Sequence, residues 1–171
     1  MRLKLINATI EYRDQIVDFL EECFDSGEKI IPTAIAKFDY NDFDSYCKLI
    51  KERETNPPSN RVPSTVYFCL DVDRNIVVGA VDIRHYLNDD LLFHGGHIGD
   101  GVRPSERRKG IATRMIGLAL SKCKEFGIDR VLMTCDKVNI GSAKSIMNNG
   151  GILENEVLDD GEVVQRYWIN N

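Results

Sequence analysis

Three cations in a row, Arg107, Arg108 and Lys109, run into Gly110, Ile111, Ala112 and Thr113 where an apolar pattern of helical period begins. The start of a helix carries backbone N–H groups without partners and the positive end of the macrodipole, so anions bind there readily. Gly110 has no Cβ and lets a ligand approach the backbone, and Ala112 keeps the next inward turn small. The cations add charge for phosphate oxygens. The stretch therefore reads as a pyrophosphate cradle. The competing reading is a solvated basic first turn. It is disfavoured because each cation there opposes the dipole at a cost of roughly 0.3–1 kcal/mol.

Two familiar phosphate signatures do not apply. The chain contains no G-x-x-x-x-G-K-[ST] loop. The glycines of "GGHIGDG" (95 to 101) stand in the wrong order for a dinucleotide fingerprint and are followed by Pro104. Elsewhere, His94 and His97 stand three apart with His85 upstream, but no cysteine lies at ligand spacing, so a metal site is not expected. Asp39, Asp42 and Asp44 offer either an acidic lip for a cationic ligand or an ordinary exposed loop.

The elements that must hold the cradle follow from hydrophobic periodicity. A short strand (3 to 8) precedes an amphipathic helix (11 to 24) with Ile16, Phe19, Leu20 and Cys23 on one face. Gly27 and Pro32 break the pattern into an irregular stretch (25 to 42), and a second short helix covers 43 to 54. After a proline-rich loop come paired strands (65 to 73 and 76 to 86), a turn (88 to 96) and a strand (97 to 102) holding Gly99 and Gly101. Strand glycines mark a bulge, a close backbone approach or simple tight packing. The longest helix is expected over 105 to 126, then a buried strand (129 to 136). A helix capped by Asn139 follows (139 to 151), and a hairpin around "DDG" closes the chain. This order describes a mixed α/β fold in a single domain, 1 to 171.

With 43% hydrophobic and 29% charged residues the chain is an ordinary globular sequence, and its net charge of −5 argues against nucleic acid as a partner. The five cysteines are odd in number and widely spaced. Cys23, Cys69, Cys123 and Cys135 sit in apolar patterns and read as small buried hydrophobes in a reducing compartment. No signal-peptide core or membrane-length apolar run is present, so a cytoplasmic location is expected, with no membrane partner.

The segment Arg107-Arg108-Lys109-Gly110-Ile111-Ala112 matches the Q/R-x-x-G-x-G/A signature and resembles the GNAT superfamily of N-acetyltransferases. It follows a strand ending in Val102-Arg103-Pro104, as in that superfamily. A second stretch, Asn139-Ile140-Gly141-Ser142 through Asn149-Gly150-Gly151, resembles the family's second motif. The likeness is good over about residues 65 to 170 and rests on element order alone before that.

The resemblance implies a splayed central mixed sheet flanked by helices, and acetyl-CoA as co-substrate with no metal. Pyrophosphate would lie on the N–H groups of residues 108 to 113, and the pantetheine arm along 98 to 102, with Val102 exchanging backbone hydrogen bonds. Asn139 and Ser142 would face the arm. Transfer would be a direct attack of a primary amine in a ternary complex, with an oxyanion donor at the backbone near Asp100 or Gly101. The acceptor is a small molecule or a peptide, and a homodimer is left open. The general-acid tyrosine of many relatives is replaced by Ile146, leaving Ser142 and Tyr167 as proton donors. His97 stands near the family's base position and is either that base or a structural histidine. Ile146 also keeps a rival reading alive, a non-catalytic acyl-CoA-binding sensor or interaction module. A third reading is a nucleotide-binding protein of another type.

Overall fold

The computed structural model describes every residue from Met1 to Asn171. In chain order the elements are β1 (Leu3–Ile6), α1 (Arg13–Asp25), α2 (Phe43–Glu52), β2 (Ser64–Asp71), β3 (Ile76–Arg84), α3 (Asp89–Phe93) and β4 (Ile98–Val102). There follow α4 (Ile111–Glu125), β5 (Arg130–Asp136), α5 (Ile140–Met147), β6 (Ile152–Asp159) and β7 (Glu162–Asn170). The mixed α/β class is as expected, but the strands divide into two sheets, β1-β2-β3-β4 and β5-β7-β6. Every ladder in both is antiparallel.

The two sheets are pinned together just before β4. The His97 N–H donates to the Leu132 carbonyl at 2.8 Å, the Leu132 N–H donates back to His97 Nδ1 at 2.9 Å, and the Gly95 N–H donates to Thr134 Oγ1 at 3.0 Å. Past that point no ladder joins β4 to β5. The sheet therefore opens along β4.

Strand alternation distributes the core. On one face of the first sheet Val81, Ile83 and Ile98 pack with Ile111, Met115, Ala119 and Cys123, the apolar stripe of α4. On the other, Phe68 and Ala80 pack with Ile16, Phe19 and Leu20 of α1 and Tyr46 of α2. Tyr46 is fully buried, and its hydroxyl donates to the Ile35 carbonyl at 3.0 Å. Cys23, Cys69, Cys123 and Cys135 are buried free thiols, as their apolar settings predict.

Three boundaries differ from expectation. The turn over 88 to 96 contains α3, capped by Asn88, which accepts the Leu91 N–H at 3.0 Å. The Asn139-capped helix ends at Met147 rather than running to the glycines. The long helix begins at Ile111, not 105, because Pro104–Glu106 form a separate 3-10 turn and Gly110 turns left-handed, with φ +74°. No helix is long and apolar enough to cross a membrane.

Candidate functional site

The cradle is built by an unusual backbone path. Arg107 is extended, Arg108 is left-handed with φ +63°, and Gly110 is left-handed again before α4 starts. Successive N–H groups in such a path converge on one side, a geometry that suits anions. The first bonded amide of the helix is Arg114, whose N–H donates to the Gly110 carbonyl at 3.3 Å. The six N–H groups before it, from Arg108 to Thr113, find no acceptor within the protein. A Cβ on Gly110 would meet nothing of the protein, so the space beside it is open.

Ion pairs hold this path in place. Glu106, almost buried, accepts both terminal nitrogens of Arg74 at 3.0 and 2.8 Å, and Lys109 lies 3.1 Å away. The Arg74 bond, chiefly, holds the Glu106 carboxyl down at about 2. Upstream, Arg103 bonds Glu22 and Asp18 of α1, and Glu22 also accepts the Ser105 N–H at 2.8 Å. These pairs correct one expectation. Of the three cations, Arg107 is bound to Glu28 and Lys109 to Glu106, and all three precede the helix rather than sitting in its first turn. Arg108 alone has no carboxylate partner.

From the cradle a cleft of ≈850 Å³ runs between the start of α4, the start of α5, the edge of β4 and the loop through Ile30 and Ile31. Along β4, Arg103 donates to Val78 and His97 accepts from Arg84. By the alternation of an antiparallel ladder, Gly99 and Gly101 also turn their backbone groups toward β3. Ile98, Asp100 and Val102 then present N–H and C=O outward to the open edge. The strand glycines have a plainer role than admitting a ligand. A Cβ on Gly101 would collide with the Ile31 carbonyl, and one on Gly99 would lie 2.9 Å from the Arg84 guanidinium. They are tight-packing positions.

Asp100, Val102, Arg107, Arg108, Gly110, Ile111, Ala112, Asn139 and Ser142 all line the cleft. Asn139 caps α5, accepting the Ser142 N–H at 3.1 Å. Asp100 is partly buried, and burial, opposed by Arg84, raises its carboxyl to about 6. Cys135 stands close to this group. Burial raises its thiol, a hydrogen bond from Ser142 eases it, and the charges of Asp136 and Asp100 push it up further. Tyr167, next to Cys135, is raised by burial first, and its hydroxyl donates to Gln165 at 2.7 Å.

Other expected residues lie elsewhere. Tyr167 and His97 are buried outside the cleft lining. His97 Nδ1 is occupied by the Leu132 N–H, and burial drives its pKa to about 4. Ile146 is fully buried in the core. His94 Nδ1 pairs with Asp159. Asp42 caps α2 and Asp39 holds Asn41, so neither forms a lip on this cleft. The periodicity missed the wall at Glu28, Ile30 and Ile31 and the thiol of Cys135, since neither carries a local pattern. Gly27 and Pro32 were the only local signs that the first wall is a structured turn.

The model of the acetyltransferase (GNAT) family matches residues 15–145. No curated protein sequence matches the chain. Among solved structures, the ribosomal-protein-S5-alanine acetyltransferase from Vibrio fischeri superposes with a TM-score of 0.69 at 17% identity, over 99% of this chain and 92% of that one. A spermidine N-acetyltransferase mutant from Vibrio cholerae gives 0.63 at 15% identity, over 99% and 95%. The microcin C7 self-immunity acetyltransferase, in complex with acetyl-CoA and AMP, gives 0.67 at 15% identity, over 99% and 92%. At these identities the structures speak for a shared fold.

Proposed function

The chain belongs to the acetyltransferase (GNAT) family, and from that premise we propose that it moves the acetyl group of acetyl-CoA onto a primary amine by direct attack. The observation that carries this reading is the run of six free N–H groups, Arg108 to Thr113, at one end of a cleft that follows an open strand edge. Those donors suit a pyrophosphate, and Arg108 supplies the unpaired cation beside them. The outward N–H and C=O groups of Val102 and Asp100 suit an amide-bearing arm laid along the edge as an added strand. Asn139 and Ser142 face the arm from the far wall.

Acetyl-CoA supplies an activated thioester. The amine nitrogen bonds to the acetyl carbon, the carbon–sulfur bond breaks, and the amine sheds a proton. An oxyanion forms transiently, and the outward N–H at Asp100 is a preorganised donor for it. The Asp100 carboxyl, at about 6, is mostly ionised at neutral pH and close enough to that pH to take the proton. A thiol ionises near 8.5, so the departing thiolate needs little help, and Ser142, which lines the cleft, is the hydroxyl assigned to give it. In this reading His97 serves as a neutral latch between the sheets rather than as the base. Tyr167 orders the wall behind Cys135.

The buried side chain of Ile146 favours a second reading, a CoA-binding module without turnover. The discriminating experiment measures thiol release from acetyl-CoA against a panel of amines. Amine-dependent release supports transfer; tight CoA binding with no release across the panel supports the module. The reading takes the chain as one domain working in the cytoplasm on a small-molecule or peptide amine.

A further inference from the structure

Resting on the acetyl-transfer reading, we propose that the acceptor amine also carries a carboxylate or phosphate, seated in a second pocket against Arg53 and Arg84. This pocket, of ≈180 Å³, lies on the other face of β4 from Asp100 and is lined almost wholly by polar side chains. It is smaller than a site for a whole ligand, and fits one end of a ligand.

Charge balance points to an anion. Arg84 Nε and Arg53 Nη2 share a single carboxylate oxygen, Asp82 Oδ2, at 3.3 and 3.7 Å. The Arg53 side chain is only 9% exposed, yet its Nε and Nη1 have no partner in the protein. One buried and one half-buried guanidinium against a single carboxylate leave a positive charge unbalanced, which is costly. Lys37 and Arg61 line the same pocket, against Asp90. Burial lowers the Arg84 pKa; Asp82 opposes this, and repulsion from Arg53 and Arg61 adds to it. A guanidinium fork matches the paired oxygens of a carboxylate or phosphate.

Position points to the acceptor. The Arg84 guanidinium lies over Gly99, the neighbour of Asp100. The loop that walls the cleft with Ile30 and Ile31 reaches the pocket with Thr33. Gly99 and Asp100 are adjacent on β4, about 3.3 Å apart along the strand, so a short molecule that passes around the open edge of β4 can set its amine at Asp100 and its anion at Arg84.

The test has two arms, the first run with CoA saturating the cradle and the second with acetyl-CoA saturating it. First, arginine Nε–H resonances of the 15N-labelled protein are followed while sodium acetate and then sodium phosphate are added. Saturable shifts of Arg53 and Arg84 are expected, with affinity weakened about tenfold or more in Arg53→Met and to a lesser degree in the exposed Arg61→Gln. Arg61→Gln keeps the test valid if Arg53→Met fails to fold. Second, thiol release is compared for glycine, β-alanine, γ-aminobutyrate and O-phosphoethanolamine against methylamine, ethylamine, propylamine and ethanolamine. The acidic member of a pair is expected to react faster, with acetate competing against the amine and not against acetyl-CoA. Unmoved Arg53 resonances, or preference for the neutral amines, overturns the proposal. Failure of the acetyl-transfer reading shows separately, as absence of CoA binding in the preparatory titration or as no thiol release with any amine of either kind.

Discussion

His97 Nδ1 accepts the Leu132 backbone N–H at 2.9 Å where the two sheets are pinned together just before β4. The bond requires a neutral ring, and burial, with Arg84 nearby, keeps it so by lowering the pKa from 6.5 to about 4. The folded pKa lies below the unfolded one. The stability from this site is therefore complete above pH 6.5 and drains away as pH falls toward 4. His97→Phe leaves the Leu132 N–H buried without an acceptor, at a cost of about 1–3 kcal/mol at neutral pH. Urea unfolding of both proteins at pH 7 and pH 5 checks this: the gap between them should narrow at the lower pH.

Glu106 holds the loop that leads into the cradle. Its carboxyl sits at about 2 instead of 4.5, chiefly through Arg74, so its contribution is present above pH 4.5 and is lost as pH falls through 2. Glu106→Gln should cost about 2 kcal/mol at pH 7 and weaken CoA binding, because Arg74 and Lys109 lose their shared partner. Thermal unfolding at pH 7 and pH 3 would show the mutant penalty shrinking in acid.

Asp100 runs the opposite way. Its carboxyl is raised from 3.8 to about 6, so it favours the fold below pH 3.8 and that advantage is lost as pH rises through 6. Asp100→Asn should therefore be more stable than the parent at pH 7.5, by about 1–2 kcal/mol, and equal to it near pH 3.5. The same variant should lose about 10²–10⁴ in kcat/KM and the rise in rate centred near pH 6. A pH–rate profile unchanged in Asp100→Asn removes Asp100 as the proton acceptor.

Asn139→Ala removes the cap of α5 and should lower stability by about 1 kcal/mol. Since Asn139 also lines the cleft, CoA affinity should fall with it. Loss of stability with no change in affinity would reduce Asn139 to a cap alone.

Much of this site was local and hence legible. A glycine after three cations, an Asn at a helix start and strand periodicity are patterns of neighbouring residues, and they pointed to the free N–H groups before Arg114, the α5 cap and β4. What escaped was set by partners far along the chain. Arg107 and Lys109 look like free phosphate ligands until Glu28 and Glu106 are seen beside them. The start of α4 moved because Gly110 adopts a left-handed φ that helical periodicity does not register. His97 reads as either a base or a structural histidine until Leu132, on the neighbouring sheet, claims its nitrogen. The sheet divides where β4 and β5 part, and each strand alone reads as an ordinary member of one sheet.

The central claim is that the six free N–H groups from Arg108 to Thr113 hold the pyrophosphate of acetyl-CoA. Calorimetric titration of acetyl-CoA, CoA and ATP into the wild-type protein and Gly110→Asp tests it most directly. No protein atom blocks a Cβ at Gly110, so the variant should fold at a cost of about 1–2 kcal/mol for its left-handed backbone. The expected result is micromolar binding of acetyl-CoA and CoA to the wild type, little for ATP, and none of either CoA species to the folded variant. Equal acetyl-CoA affinity in the two proteins, or no binding to the wild type, would contradict the account.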